Sequence, residues 1–129
     1  MVILVEMPKV VEMDESVSIF SQMNEDVGPV ILINKFTVNP SESDEFVKAW
    51  AEEAEKFKVQ AGFISTQLHR GIGGSGIFIN YAIWESAAQF KNAVNKVMNP
   101  NDRMSGYPPS TVASPHLFKK VAVAGVCVE

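Results

Sequence analysis

At 129 residues the chain has the length of a single domain, and 47% hydrophobic with 20% charged residues is the composition of a globular protein that buries a real core. A net charge of −4 and 11 scattered basic residues exclude a nucleic-acid footprint, so no nucleic-acid partner is expected. The lone cysteine, Cys127, excludes an intrachain disulfide, the apolar run after Met1 is too short for a signal peptide, and no segment approaches the roughly 18 apolar residues of a membrane span; a cytoplasmic protein with no membrane partner is expected.

Residues 1–28 read as an N-terminal arm, and residues 29–129 as one domain. In the arm, Val2–Val5 predicts a short strand interrupted by Pro8. Asp14-Glu15-Ser16 predicts the start of a short amphipathic turn with Val17, Phe20 and Met23 on one side. Methionines 1, 7, 13 and 23 predict packing of the arm on the domain or on a partner subunit, because Met fills irregular apolar gaps.

Gly28-Pro29 is a turn signal. Val30–Val38 then reads as the first core strand, with Ile31 and Ile33 on one side and Leu32, Asn34 and Phe36 on the other. Asn39-Pro40-Ser41 ends it. Ser41 and Asp44 have the spacing of a capping box, and a helix is predicted from there to about Lys58. Phe46, Trp50, Ala54 and Phe57 recur at helical spacing and define its buried face; Glu52, Glu53 and Glu55 read as its solvated face. Gly62 is expected to stop the segment in a left-handed conformation.

Phe63–His69 alternates as a strand, with Phe63, Ser65, Gln67 and His69 on one face and Ile64, Thr66 and Leu68 on the other. Gly71-Ile72-Gly73-Gly74-Ser75-Gly76 has the letters G-x-G-x-x-G, but a dinucleotide site needs a helix after that motif, and here a strand follows. A hairpin turn is predicted instead. Ile77–Trp84 is the strand around which the chain is organised. Ile77, Ile79, Tyr81 and Ile83 form one face, and Phe78, Asn80, Ala82 and Trp84 the other. An amide between Phe and Ala needs partners or lines a cavity. Ser86 caps a second helix that runs to about Met98, with Ala87, Phe90, Ala93, Val94 and Val97 apolar. Residues 99–115, rich in proline, glycine and serine and holding Arg103 and Tyr107, read as a loop or lid. Leu117–Val128 reads as a long last strand.

The order after the arm is β-α-β-β-α-β. This predicts an α+β, ferredoxin-like fold, an antiparallel four-stranded sheet with two helices on one face. The other face carries Ile, Leu and Val and has no cover, which predicts a homodimer whose sheets pack face to face as a dimeric α+β barrel, with the last strand reaching toward the partner.

The run Asn80-Tyr81-Ala82-Ile83-Trp84-Glu85-Ser86 with Phe90, the run Ala61–Arg70, and the opening strand Ile33-Asn34-Lys35-Phe36-Thr37-Val38 together resemble the antibiotic biosynthesis monooxygenase superfamily over about residues 29–126. The resemblance implies a cofactor-independent monooxygenase that oxidises an aromatic phenol or quinone-type small molecule with O₂. It implies catalytic roles for Asn80, as hydrogen-bond donor to a substrate or oxygen atom, for the Trp84 indole N–H, as a second donor, and for Arg103. Asn34, Phe57, His69, Phe90 and Tyr107 are the expected substrate-binding residues, and no metal or other cofactor is expected. Phe90 stands where that branch has a tyrosine, so the proton-transfer group is left open among His69, Tyr107 and Tyr81; Tyr81 points to the face opposite Asn80. A second branch of the superfamily degrades haem with an asparagine, which Asn34 matches, a helix tryptophan, which is Ala93 here, and a histidine beyond it, which has no counterpart between His69 and His116. Haem degradation is therefore not expected. The class-distinct alternative is a non-catalytic small-molecule-binding or stress-related dimer using the same pocket.

Overall fold

A computed structural model describes residues 9–98 and 106–128. It has five strands, β1 (Lys9–Val10), β2 (Val30–Thr37), β3 (Phe63–Arg70), β4 (Ile77–Trp84) and β5 (Val112–Phe118), with helices α1 (Ile19–Gln22), α2 (Ser43–Phe57) and α3 (Ala87–Val97). The strand order is β1-β5-β2-β4-β3. Strands β5, β2, β4 and β3 pair antiparallel in the ferredoxin-like arrangement, and β1 adds a short parallel edge to β5. None of the helices described is long and apolar enough to cross a membrane.

The alternation of β2 and β4 sorts their side chains as the sequence predicts. Val30, Leu32, Phe36, Phe78, Ala82 and Trp84 are buried on the face beneath the helices. The glycine run closes the β3–β4 hairpin: Gly71 N–H donates to Ile77 O at 2.7 Å, and Gly73 and Gly74 take φ of 76° and 73°. Ser86 caps α3 by accepting from Gln89 N–H at 3.1 Å.

Five expectations are corrected. The last strand is Val112–Phe118, not Leu117–Val128, so residues 112–115 leave the predicted loop. Register explains both ends. Thr37 pairs with Val112 and Ile31 with Phe118, and β2 begins at Val30 straight after Pro29, so residues beyond Phe118 have no strand to join. They run exposed instead, closing a turn through the Val123–Cys127 bridge. Second, the Ser41–Asp44 capping box is replaced by Asn39, whose Oδ1 accepts from Ser41 N–H at 3.1 Å and starts a 3₁₀ turn over Pro40–Glu42 ahead of α2. Third, an irregularity between Phe63 and Ser65 leaves Ile64 out of the pairing. Phe63 then shares the face of Thr66 and Leu68, not that of Ser65, Gln67 and His69. Fourth, Gly62 has its left-handed φ of 92°, but in the turn beyond the helix end, where an added Cβ would stand 2.5 Å from Gln89 Cβ.

Fifth, of the predicted apolar side of the arm, Val17, Phe20 and Met23, only Met23 is buried. Ile19 and Met23 are buried in the core, while Phe20 is 69% exposed. Gln22, also buried, accepts from Leu117 N–H at 2.7 Å and ties α1 to β5. The predicted Val2–Val5 strand lies outside the described residues.

Two apolar clusters form the core. One gathers Ile19, Met23, Trp84 and Phe90 near α1 and α3; the other gathers Phe36, Phe46, Phe78 and Tyr107 beneath α2. Phe46 is fully buried and lies 4.6 Å from Phe78 and 5.0 Å from Phe36, centroid to centroid. Phe46→Ala is expected to cost about 3–5 kcal/mol of stability, measured as a lower denaturation midpoint in urea with an unchanged slope.

Candidate active site

The sheet face beneath the helices is apolar at both ends and polar in the middle. Asn34 and Asn80 stand directly opposite each other on β2 and β4, between the two clusters. Both are half-buried, whereas Phe36 and Phe78, two residues along each strand, are 2% and 1% exposed. The middle of this face, the floor of the candidate site, is therefore less deeply buried at the two amides than at the phenylalanines beside them.

An amide on an apolar sheet face is costly until its polar atoms are paired. The protein pairs the oxygens. Ser114 N–H donates to Asn34 Oδ1 at 3.1 Å. The ladder position opposite Asn34 is Pro115, which has no N–H of its own to give. Thr66 Oγ1 donates to Asn80 Oδ1 at 2.5 Å. With both oxygens engaged, two amide N–H₂ groups on this face are left without a protein acceptor among the described residues.

Trp84 lies four residues beyond Asn80, roughly 13 Å along β4, on the same face with only the methyl of Ala82 between them. It is 1% exposed and packs edge-on to Phe63 at 5.4 Å, Phe90 at 5.6 Å and Phe57 at 6.2 Å. Its indole N–H also has no acceptor among the described residues. Phe57 and Phe90 therefore wall one end of the floor, as apolar surface.

Tyr107 closes the other end. It stacks on Phe36 at 6.1 Å and is 7% exposed. Its hydroxyl donates to Glu53 Oε1 at 3.1 Å. Glu53 was expected on the solvated face of α2, and that is corrected here. It follows Trp50 by three residues and precedes Phe57 by four, so it falls on the inward stripe, and it is half-buried. Burial pushes its carboxyl above the ordinary carboxylate range, with the Tyr107 hydrogen bond opposing that shift. Burial and then the Glu53 charge push the Tyr107 phenol far above its usual value, so Tyr107 stays a neutral donor.

The remaining expected site residues fall elsewhere. His69 pairs with Ile79 and Tyr81 with Ile33, which puts both on the opposite face of the sheet from Asn80. His116 pairs with Ile33 from the other side and shares that outer face. Both histidines of the chain are thus separated from the amides by the sheet itself. His69 therefore leaves the group that the fold brings together, which is Asn34, Phe57, Asn80, Trp84, Phe90 and Tyr107. Arg103 lies outside the described residues. Thr66, Ser114 and Glu53 were missed; of these only Glu53 carries a sequence signal, its spacing from Trp50 and Phe57. No cluster of three His, Cys, Asp or Glu side chains able to hold a metal occurs among the described residues.

No curated protein matches the chain. Among solved structures, a monooxygenase candidate from Shewanella loihica is 27% identical, with a TM-score of 0.65 over 78% of this chain and 100% of that one. The haem-degrading protein MhuD from Mycobacterium tuberculosis is 28% identical, with a TM-score of 0.58 over 75% and 100%. SnoaB, a cofactor-independent oxygenase from Streptomyces nogalater, is 22% identical with a TM-score of 0.62 over 77% and 99%, a likeness of fold. The family model for antibiotic biosynthesis monooxygenases matches residues 29–97, more than half of the chain and all of β2 to α3. Strands β2 to β4, helices α2 and α3 and the opposed amides thus fall within one matched segment, and the chain belongs to the antibiotic biosynthesis monooxygenase family.

Proposed function

We propose that the protein is a cofactor-independent monooxygenase that oxidises an aromatic phenol to a quinone with O₂. The observation that carries this reading is the pair of opposed amides, each with its oxygen engaged by the protein and its N–H₂ left for a ligand. An electron-rich phenolate reduces O₂ itself, so the protein needs only to position the two reactants and stabilise the charge that develops on oxygen. Donors fixed before the reaction suit that task. In the overall step one oxygen atom becomes the new carbonyl, the other leaves as water with two hydrogens from the substrate, and no external reductant is needed. Asn80 and Trp84 act as donors in this reading and Arg103 is the third catalytic group. Asn34 orients the substrate, and Phe57, Phe90 and Tyr107 hold its rings. The oxygenase fold of SnoaB supports the reading.

Residues 29–129 carry this function, and the arm before them braces the core through Ile19, Gln22 and Met23. A second copy of the chain covers the outer face, where Ile31, Ile33, Ile77, Ile79 and Ile83 remain half-buried within one subunit. The cytosol is the proposed compartment, in keeping with a single exposed free thiol at Cys127. The likeness to MhuD raises haem as another ligand. The donor set opposes it: both imidazoles of the chain lie on the outer face, and Ala93 is buried on α3 where the haem branch has its tryptophan.

The test is O₂ consumption by protein freed of metal with a chelator, against a panel of polycyclic phenols and hydroquinones. Uptake well above the uncatalysed background, with one atom of labelled oxygen in the quinone, is the expected result. Background uptake with every substrate points instead to a binding protein that uses the same floor.

A further inference from the structure

We propose that Glu53 is the proton acceptor for the substrate hydroxyl, and that the site therefore selects neutral, uncarboxylated phenols. The proposal rests on reading the site as one that takes phenols. It supplies the proton-transfer group that Phe90 cannot, since Phe90 has no hydroxyl. Position is the first argument. On α2, Trp50 packs with the cluster around Phe36 and Phe78, and Phe57 packs against Trp84. Glu53 lies between them on the same stripe, so it comes over the stretch of β4 between Phe78 and Trp84, where Asn80 is. Geometry is the second. Tyr107 occupies Oε1, while Oε2 has no partner among the described residues. The third is complementarity. The floor offers N–H donors from Asn34 and Asn80 for oxygens that gain charge, and one carboxylate for the proton that must leave. Burial, which raises the carboxyl, brings it closer to a phenol in basicity.

The step is a proton transfer. The phenol O–H bond breaks, its electron pair stays on the phenolate oxygen beside the amide donors, and the proton bonds to Oε2 of Glu53. A substrate that already carries a carboxylate meets the charge of Glu53 in a half-buried site and is rejected.

Among the described residues the charged groups nearby are few. Lys56, one turn along the same helix, acts on Glu53 weakly, and the Tyr107 phenol is neutral. Arg70, over the Phe78 ring at 5.4 Å, is a cation at the edge of this face. The rate should therefore fall as pH drops through the raised carboxyl value, because only the ionised carboxylate accepts a proton.

The test combines kinetics with binding that needs no turnover. Glu53→Gln keeps an oxygen for the Tyr107 hydroxyl and removes the buried charge, so it should melt no lower than wild type at neutral pH. Its kcat/KM for O₂ uptake with a neutral phenol should fall at least about 100-fold, lose the acid limb of the pH profile, and recover in part with phenols ionised at the assay pH. Tyr107→Phe removes the bond that lowers the carboxyl value, so the acid limb should move to higher pH. In parallel, 4-nitrophenol is titrated under nitrogen across the pH range. Wild type should bind it about tenfold more weakly for each unit of pH once ligand and Glu53 are both ionised, while Glu53→Gln binds the yellow phenolate without that loss. The same pH dependence of binding in both proteins overturns the proposal, as does an unchanged acid limb in Glu53→Gln. The predicted binding difference without any phenol oxidation sustains Glu53 as proton acceptor and refutes the oxygenase reading. No nitrophenol binding to either protein overturns both.

Discussion

Asn80→Ala should lower kcat/KM for phenol oxidation by about 10² to 10³-fold, the usual effect of deleting one fixed donor to a developing oxyanion, while leaving the protein folded. The two effects separate because of how Asn80 is held. Its oxygen is held by Thr66 within the protein, and its nitrogen has no acceptor among the described residues. Truncation leaves the Thr66 hydroxyl without its acceptor, which costs about 1–3 kcal/mol at most, and Thr66 is itself half-buried, so water can take the vacated place. Asn80→Asp is the sharper variant. It keeps the shape and the acceptor for Thr66, but it replaces the N–H donor by a negative oxygen aimed at the reacting centre. Its turnover should fall at least as far as that of Asn80→Ala, with little change in melting temperature. Oxygen uptake and thermal melting on the same preparations decide the matter. An Asn80→Asp protein that turns over within a few-fold of wild type would make Asn80 a structural amide, satisfied by Thr66 and idle in the chemistry.

Asn80 was legible in the sequence because strand periodicity alone places it with Phe78, Ala82 and Trp84, and an amide in that company is conspicuous. β2 was legible for the same reason, and α3 from its Ser86 cap and apolar spacing. The pairing of Asn34 with Asn80 was not, since it depends on which residue of β2 meets which residue of β4. The last strand was misplaced because Val-Ala-Ser-Pro-His-Leu-Phe looks locally like a loop. Its strand character comes from pairing with β2, and Pro115 is tolerated where Asn34 takes up the neighbouring Ser114 N–H through its side chain. The irregularity at Ile64 likewise turns Phe63 to the other face, and the glycine before it, Gly62, reads locally only as the stop of the preceding segment. Glu53 was misjudged for a different reason. Three glutamates in four positions read as a wet face, yet the helix rotates one of them inward, and the partner that makes this tolerable, Tyr107, is 54 residues away. Local pattern thus reports the faces of strands and helices, while the donors and acceptors that complete the site come from register and from distant segments.

Ile31→Glu should convert a dimer of the wild-type protein to a monomer, read as a halved mass by light scattering. On the outer face Ile31 is flanked by Ile83 of β4 and Phe118 of β5, with no cation paired to it in the sheet. In a face-to-face dimer related by a two-fold axis each copy contributes one such position, so a single substitution places two carboxylates in the interface. An unpaired buried charge costs several kcal/mol, and two of them exceed what a small sheet-face interface recovers from apolar burial. Acidification, which neutralises the introduced carboxyls, should restore the dimer, and Val59→Glu, at a site 75% exposed in the turn beyond α2, should leave the mass unchanged. A wild-type protein that is monomeric, or an Ile31→Glu protein that keeps the dimer mass at neutral pH, would refute this use of the outer face. The consequence for the site follows from strand alternation. Ile31 and Ile33 point outward from the strand whose Leu32 and Asn34 point inward, so a second copy packed on the outer face would brace the floor on which Asn34 and Asn80 are held. Monomers should therefore lose part of the turnover, about two- to tenfold for a floor loosened by roughly 1 kcal/mol, which is less than the loss from removing the Asn80 donor itself.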